Sequence, residues 1–476
     1  MKNCIKLYLA CAIVVILPAS AHSQEPERKF RMLDAVNESR DYALEKDFRT
    51  EFISYTLREH ADKGAREKDQ HYRELQFTTA QTESGGLMSA DLDIPVLWLD
   101  RDIFLRGEGL QAGAGIFVNG VEIGMAMTGI LPEEFNITPY VTDGVNKIEI
   151  KVITHAGGIP DKSDNLRAYV YSQPKLRIED FLITAEPDSL NKYGILTIRL
   201  ALANSYNFPE EINVGYDIYD PKGKLQYFDN RDVVVPGVFS GGRDTLEFKE
   251  FIYGTPANLW TPDKPALYYG MLIVKHGKRV TEYIPYRVGF GKTESADGRL
   301  VRNGKAVEVK AARYNAAADR KTTADELARL KKAGINTIMV DYPQPYWFYD
   351  LTDETGLYVF DQPDLNFAEQ FAAGRLPGES PANEPTALGA YLYHTRSMFA
   401  RNRNRTSIVG WSLGDTHGNG YNLYKTYQWL RENEPLRPVI YNGAEGEWDT
   451  DMEPIPAADA RKVLAKPASA QNTRRR

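Results

Sequence analysis

The period of the hydrophobic pattern changes once along the chain, near residue 300, and this change limits the folds that are available. Before that point apolar and polar residues alternate in short runs separated by turn residues. The clearest turn is Asn119-Gly120, a dipeptide typical of two-residue β-hairpins, which separates the apolar runs 115–118 and 121–124. After that point apolar residues recur at helical spacing between short apolar runs. The chain is therefore predicted to be all-β first and α/β afterwards.

The β-rich part is long enough for two domains. Residues 25–175 are interpreted as a charged lead-in followed by a first β-sandwich, with predicted strands at 94–99 and 147–153. Residues 176–290 are predicted to form an immunoglobulin-like sandwich, because about 110 residues carry strands at the spacing of that fold, for example at 194–202.

The third part, residues 291–455, alternates between strand and helix patterns. A capping box at residues 323–326, Thr-Ala-Asp-Glu, predicts the start of a helix that ends at Gly334. A buried strand is predicted next at 336–340, and a second helix begins at Tyr346. Short connections between such elements predict a parallel sheet of the TIM-barrel type.

The predicted barrel is incomplete. At roughly 30 residues per strand–helix unit, this region holds about five of the eight units of a full barrel. Five units leave unpaired strand edges, so a protein partner or an oligomer is expected to cover them. Residues 456–476 are rich in alanine with a basic end and are predicted to be disordered.

The first 24 residues have the pattern of a secretory signal peptide. A short basic start precedes an apolar run at 7–17, and residues 19–21, Ala-Ser-Ala, offer a small-residue cleavage site. Both cysteines, Cys4 and Cys11, lie in this leader, so no disulfide is expected in the mature chain. The pattern predicts export to the periplasm, to the outer membrane or out of the cell.

Charge and hydropathy exclude two classes of protein. The net charge of −7 makes a nucleic-acid partner unexpected. After the leader, no stretch approaches the ~18–20 uninterrupted apolar residues of a membrane-spanning helix, so no transmembrane span is predicted.

Several motifs follow one another in an order that is specific as a set. The β-rich part carries Gly-Ile-Phe-Val-Asn-Gly-Val-Glu-Ile-Gly at 115–124 and Phe-Asn-Ile-Thr-Pro-Tyr-Val at 135–141. Further motifs occupy residues 172–180, 259–268, 287–290, 301–305, 334–336, 342–343, 356–359, 403–414 and 437–438. Over roughly residues 90–452 they resemble glycoside hydrolase family 2, which contains β-galactosidases and β-glucuronidases. The resemblance implies a jelly-roll sugar-binding sandwich, an immunoglobulin-like sandwich and a TIM barrel.

The resemblance also implies O-glycosyl hydrolase chemistry, but the expected acid/base has changed. A retaining glycosidase needs two carboxyl groups ~5–5.5 Å apart, one as nucleophile and one as acid/base. The family motif Trp-Ser-Leu-Gly-Asn-Glu, which ends in the acid/base glutamate, corresponds to Trp-Ser-Leu-Gly-Asp-Thr at 411–416. Thr416 stands at the acid/base position and cannot donate a proton at a useful pKa. Asp415 is the neighbouring carboxylate, one residue early.

Other site positions of the family are also replaced. The nucleophile belongs on a later strand that the chain is not expected to reach, and the carboxylates at 445–453 match no motif. The family's histidine is missing from 312–315, and its Asp-Glu-Ala-Asn strand end reads Asp-Gln-Pro-Asp at 361–364. No metal site and no cofactor are expected. The remaining candidates for contact with a sugar are predicted at the carboxyl ends of the barrel strands, where barrel sites are built: Asp341, Tyr342, Trp411, Asp415 and His417.

Two hypotheses about function remain. In the first, the chain is a truncated, catalytically degenerate relative that serves as a carbohydrate-binding or scaffolding component of a bacterial envelope assembly. In the second, it is an active secreted exo-glycosidase in which Asp341 and Asp415 form a relocated carboxylate pair. The changed acid/base position favours the first hypothesis, and the intact order of the sandwich motifs favours the second.

Overall fold

The computed structural model describes most of the chain after residue 47. The predicted leader, residues 1–24, lies outside the described part, and no described helix is both long and apolar enough to cross a membrane. The described residues are 48–82, 85–110, 113–153, 166–365, 381–415, 419–444 and 446–465.

The first β-domain is a sandwich of two antiparallel sheets, with strand orders β1-β9-β4-β7 and β2-β3-β8-β5-β6. Its core consists of apolar residues from the facing sides of the two sheets. The strands are β1 (Tyr72–Glu74), β2 (Thr78–Thr82), β3 (Gly85–Ile94), β4 (Arg101–Glu108), β5 (Gly115–Val118), β6 (Val121–Met125), β7 (Glu133–Asn136), β8 (Gly144–Ile153) and β9 (Arg167–Pro174).

The predicted hairpin turn is present between β5 and β6. Asn119 and Gly120 have φ angles of 50° and 81°, the left-handed conformations that a type I′ turn requires. The predicted strand at 94–99 is wrong, because β3 ends at Ile94 and Val96–Trp98 form a 3₁₀ turn. Pro95 has no N–H for the ladder, and the turn places Trp98 in the core, where 1% of its surface is exposed.

The second β-domain has seven antiparallel strands in two sheets, β10-β11-β14 and β13-β12-β15-β16. This is the architecture predicted for residues 176–290, and a continuous apolar core lies between the sheets. The strands are β10 (Leu176–Pro187), β11 (Tyr193–Asn204), β12 (Glu210–Tyr219), β13 (Leu225–Val235), β14 (Arg243–Tyr253), β15 (Tyr268–His276) and β16 (Arg279–Val288).

The third domain contains one six-stranded parallel sheet with helices after its strands, as a partial barrel requires. A small antiparallel sheet, β17 (Thr293–Ala296), β18 (Arg299–Arg302) and β19 (Lys305–Ala306), leads into it. The barrel strands are β20 (Ala311–Arg313), β21 (Thr337–Met339), β22 (Tyr358–Asp361), β23 (Ile408–Ser412), β24 (Val439–Ile440) and β25 (Ala457–Asp459). The helices in chain order are α1 (Arg58–Lys63, in the lead-in), α2 (Arg320–Lys332), α3 (Tyr346–Thr355), α4 (Leu388–Asn402), α5 (Tyr421–Asn433) and α6 (Ala460–Leu464).

Helix α2 begins one turn earlier than the capping-box pattern predicts. Its N-cap is Asp319, whose carboxylate accepts a hydrogen bond from the Thr322 N–H at 2.8 Å. Thr323 lies inside the helix, fully buried. The end of the helix agrees with the prediction, since Gly334 follows it with a φ of 92°.

The tail predicted to be disordered from residue 456 is ordered as far as residue 465. Strand β25 pairs in parallel with β20, with Ala311 opposite Ala457, so the strand order of the sheet is β24-β23-β22-β21-β20-β25. The two outer strands are linked through Asn442, whose side chain donates to the Ile455 carbonyl at 3.2 Å and accepts from the Ile455 N–H at 3.0 Å. The chain itself therefore spans part of the edge for which a partner is expected.

Residues 48–56 form a connection, here called the strap, that contacts all three domains. Arg49 binds Glu134 of the first sandwich with two hydrogen bonds of 2.8 and 2.9 Å. Tyr55 exchanges backbone hydrogen bonds with Tyr283 of the second sandwich. On the barrel side, the Glu51 carbonyl accepts from the Tyr346 hydroxyl at 2.8 Å.

Candidate functional site

The carboxyl ends of the barrel strands bring together several of the predicted site residues. Asp341 follows β21, and Asp415 follows β23. Arg313 is the last residue of β20, the neighbour of β21, and its long side chain reaches Asp415 beyond β23 at the same end of the sheet. The predicted juxtaposition of Asp341 and Asp415 is therefore present, with an arginine between them that was not predicted.

The Arg313 guanidinium binds both carboxylates at once. It donates to Oδ1 of Asp341 through one terminal nitrogen and to Oδ2 of Asp415 through the other. Asn315 Nδ2 donates to the other oxygen of Asp341 at 2.7 Å, and Asn442 Nδ2 donates to the other oxygen of Asp415 at 3.1 Å. Each charged side chain is about one-third exposed. All four carboxylate oxygens thus have a hydrogen-bond donor.

This arrangement differs from the carboxyl pair of a retaining glycosidase. Such a pair needs one protonated carboxyl group and one free nucleophilic carboxylate. Here a shared guanidinium occupies one oxygen of each carboxylate, and an asparagine amide occupies the other. Arg313, Asp341 and Asp415 together form an ion-pair cluster, and neither carboxylate is arranged to deliver a proton.

Tyr342 lies beside this cluster and is half-buried. Burial, together with the negative charges of Asp341 and Asp364, raises the pKa of its phenol above the usual value. The hydroxyl therefore stays protonated at neutral pH and is able to donate a hydrogen bond to a ligand.

Trp411 lies in the barrel core rather than on this surface. None of its surface is exposed, its ring packs 5.2 Å from that of Phe399, and the Arg437 guanidinium lies 4.7 Å from its centroid. Trp411 has no free ring face on which a sugar could stack. Thr416 and His417 lie outside the residues that the structure describes.

Asp361, at the carboxyl end of β22, is also part of the core. It accepts hydrogen bonds of 2.7 Å from the Tyr349 hydroxyl and from Asn402 Nδ2. Burial raises its pKa to about 6. The side chain is fully buried, so this carboxyl group stabilises the barrel interior and does not face a substrate.

An aromatic pair that sequence reasoning missed lies on the loop after β24. Trp448 is 52% exposed and stacks on Tyr424 of α5, with 4.8 Å between centroids and 13° between planes. Tyr427 meets the Trp448 ring edge-on at 5.8 Å. One face of the indole is therefore covered, and the ring is held in place with surface left open to solvent. A single tryptophan in a polar segment gives no signal in the sequence that its ring is stacked on a tyrosine of a distant helix.

Metal ligands do not cluster within the described part of the chain. No group of three or more histidine, cysteine, aspartate or glutamate side chains is placed there to hold an ion.

Each of the three domains matches a known family profile. The profile "Glycosyl hydrolases family 2, sugar binding domain" matches residues 74–170, "Glycosyl hydrolases family 2" matches 176–290, and "Glycosyl hydrolases family 2, TIM barrel domain" matches 305–466. The chain belongs to glycoside hydrolase family 2. Its family 2 domains follow the order that the motifs predicted.

Curated relatives include β-galactosidases of several bacteria. This family 2 chain is 28% identical over 389 residues to the β-galactosidase of Streptococcus thermophilus. The aligned region covers 78% of this chain and 36% of that protein. It is 28% identical over 359 residues to the β-galactosidase of Pseudoalteromonas haloplanktis, and the aligned region covers 71% of this chain and 33% of that protein. The chain thus spans about a third of the length of these relatives.

Solved structures support the family 2 fold. A β-glucuronidase of Bacteroides uniformis superposes with a TM-score of 0.61 at 17% identity, covering 75% of this chain and 46% of that one. A glycosyl hydrolase family 2 member from Bacteroides cellulosilyticus superposes with a TM-score of 0.62 at 17% identity, covering 81% and 50%. At this identity the likeness concerns the fold alone.

Proposed function

We propose that this family 2 chain binds carbohydrate without hydrolysing it and serves as a scaffolding component of a bacterial envelope assembly. The observation that carries the proposal is the Arg313 guanidinium bound to both Asp341 and Asp415. It engages one oxygen of each of the two carboxylates that a relocated catalytic pair would use. Thr416, at the family's acid/base position, supports the same conclusion.

Trp448 is the proposed contact for the sugar. Pyranose rings present an apolar face of C–H groups, which packs on an exposed aromatic ring, while their hydroxyl groups need polar partners nearby. The Trp448 ring is held by Tyr424 and Tyr427 on a loop at the carboxyl ends of the strands. The ring therefore does not need to be ordered when the sugar binds, which lowers the entropic cost of binding.

The envelope location and the protein partner are parts of the same proposal. The basic start, apolar run and small-residue exit of residues 1–24 support export to the periplasm, the outer membrane or the cell exterior. Strand β24 is an outer strand of the sheet and is only two residues long, with Val439 bonded to Asp451 on the loop. Both backbone groups of Val439 are thus bonded within the chain, so the proposed partner or oligomer at the barrel edge rests on the incompleteness of the barrel.

A second candidate function is that of an active exo-glycosidase of the β-galactosidase or β-glucuronidase type, which are the names of the relatives. Asp341 and Asp415 favour it because both lie at the carboxyl ends of barrel strands and both are about one-third exposed. Displacement of Arg313 by a substrate would free them.

Catalysis is tested with the purified chain and a panel of dinitrophenyl glycosides. These leaving groups need little acid assistance, so the threonine at position 416 would not hide a working nucleophile. We expect no turnover above the buffer rate, whereas a functional enzyme would exceed it by at least about 10⁶-fold. Turnover that is abolished in Asp341→Ala or Asp415→Ala would refute the non-catalytic function and establish the second candidate.

Carbohydrate binding is tested by titrating β-galactosides and β-glucuronides while following tryptophan fluorescence and heat. We expect saturable binding that Trp448→Ala weakens by about tenfold or more, since the stacking surface is removed. Leu436→Ala, at an exposed apolar residue elsewhere on the barrel, is the matched control and should bind normally. Binding that is unchanged in Trp448→Ala would place the sugar at another surface.

A further inference from the structure

A cavity of about 220 Å³ lies between the immunoglobulin-like sandwich and the barrel. On the sandwich side it is lined by residues of β10, and on the barrel side by 403–406 and 433–437, which precede β23 and β24. The cavity is therefore at the amino ends of the barrel strands. Asp341 and Asp415 lie at the opposite end.

Guanidinium groups dominate the charged lining of this cavity. Four of the five arginines are each paired with a carboxylate. Arg405 Nη1 donates to Asp350 at 2.7 Å, and Arg437 Nε donates to Glu434 at 2.8 Å. The five are Arg199, Arg302, Arg403, Arg405 and Arg437, of which Arg199 pairs with Glu247 and Arg403 with Asp180.

Arg302 is the exception. It is 7% exposed, and no carboxylate pairs with it among the described residues. Its one hydrogen bond there runs from Nη1 to the Thr293 hydroxyl at 2.5 Å, and its Nε is buried without an acceptor. Burial, with a contribution from the neighbouring Arg437, lowers the pKa of Arg302 to about 10. The side chain is therefore still charged at neutral pH. Glu186 acts on it only through space, and a buried charge with no directly bonded counter-ion is costly.

The backbone around Arg302 leaves room for its head group. A Cβ atom on Gly291 would lie 2.2 Å from Nη2 of Arg302, so the guanidinium occupies the space that a larger residue at this position would need. The Nε atoms of Arg403 and Arg405 are also buried without an acceptor. Three guanidinium Nε donors among the residues that line this cavity thus lack acceptors within the described structure.

We propose that this cavity is a binding site for a small oxyanion, with Arg302 as its principal ligand. A phosphate, a sulfate or a carboxylate presents two or more oxygens that match the fork of donors on a guanidinium. The volume corresponds to roughly seven water molecules at about 30 Å³ each, which is enough for such an anion with one or two waters. A bound anion would join Arg302 to the 403–406 loop, and Arg403 of that loop is paired with Asp180 of the sandwich.

Glu186 of β10 also lines the cavity and gives the proposal a second test. Burial raises the pKa of this carboxyl group, and Lys292 lies near enough to oppose that effect. A bound anion would be repelled by the ionised Glu186. The original chain should therefore bind the anion, and Glu186→Gln should bind it more tightly. If Glu186 were instead the counter-ion of Arg302, the original chain would bind no anion and the same change would destabilise the protein.

The experiment is thermal unfolding and calorimetric titration of the full chain with sodium phosphate, sodium sulfate or sodium malonate, each compared with chloride at equal ionic strength. We expect a saturable rise in melting temperature with at least one anion. The inorganic and organic arms identify which oxyanion geometry the site prefers. No saturable rise with any of the three would overturn the proposal.

Variants locate the site. Arg302→Gln should weaken anion binding by at least about tenfold, and Arg302→Lys, which keeps the charge but loses the fork, should weaken it less. Arg299→Gln, at the exposed end of the same strand, is the matched control and should bind like the original chain. If Arg302→Gln does not fold, Glu186→Gln still decides, since a loss of binding in that variant contradicts the proposal. Equal binding by Arg302→Gln and Arg299→Gln would do the same.

Discussion

Trp260→Ala is expected to lower the free energy of unfolding by about 4 kcal/mol, because it empties the junction between the second sandwich and the barrel. The indole is fully buried and packs 5.8 Å from the ring of Tyr358 on β22. Its Nε1 donates to the Asp353 carbonyl at 2.9 Å, and its backbone N–H donates to the Phe290 carbonyl. One side chain therefore holds both domains through packing and a hydrogen bond.

The measurement is urea unfolding followed by circular dichroism and by fluorescence, which together reveal whether the domains still unfold in one transition. Trp448→Ala is the matched control, since that ring is half-exposed and should change the free energy by less than about 1 kcal/mol. A loss below about 1 kcal/mol in Trp260→Ala would show that the junction repacks around the cavity.

Glu134→Gln is expected to cost about 3 kcal/mol at neutral pH and to remove much of the acid sensitivity of the first sandwich. Burial alone would raise the pKa of this carboxyl group, but Arg49 and Arg106 more than compensate and lower it to about 2. A lowered pKa in the folded state stabilises the protein above the unfolded value near 4.5. That stabilisation is lost as the pH falls through 4.5 toward 2.

The pH dependence is measured as the difference in unfolding free energy between the original chain and Glu134→Gln from pH 7 to pH 2.5. The difference should be largest above about pH 5 and should shrink as the pH falls. Glu308→Gln is the matched control, because this carboxylate is 81% exposed, and we expect no comparable difference. A difference that stays constant with pH would mean that Glu134 acts through shape and packing rather than charge.

The fold was predictable where local chemistry decides it. Asn119-Gly120 adopts the positive φ angles that few other dipeptides allow, so this hairpin is visible in the sequence. The end of α2 at Gly334 is visible for the same reason. The start of α2 was displaced because Asp319 and Thr323 are both competent capping residues, and only the packing of Thr323 in the core decides between them.

Long-range pairing was the part that the sequence could not supply. The alanine-rich segment from residue 456 was predicted to be a disordered tail. Ala457 nevertheless forms a strand, because the edge of β20 is available beside it. The Asp341 and Asp415 candidates were placed correctly at the strand ends, but their charge state depends on Arg313. No spacing in the sequence indicates that one guanidinium reaches both of them.

The strap has a consequence for the order in which the chain folds. Residues 48–56 leave the ribosome before any domain exists, yet the Thr50 N–H binds Asp180 and the Glu51 N–H binds the Arg401 carbonyl. These partners are synthesised much later, so the strap has no complete binding site until α4 has been made. The sandwiches can form early from contacts within their own sequences, whereas the strap waits for closure over long loops, which is slow. During synthesis this segment therefore stays undocked until the chain has been made as far as α4, and its docking then ties both sandwiches to the growing barrel.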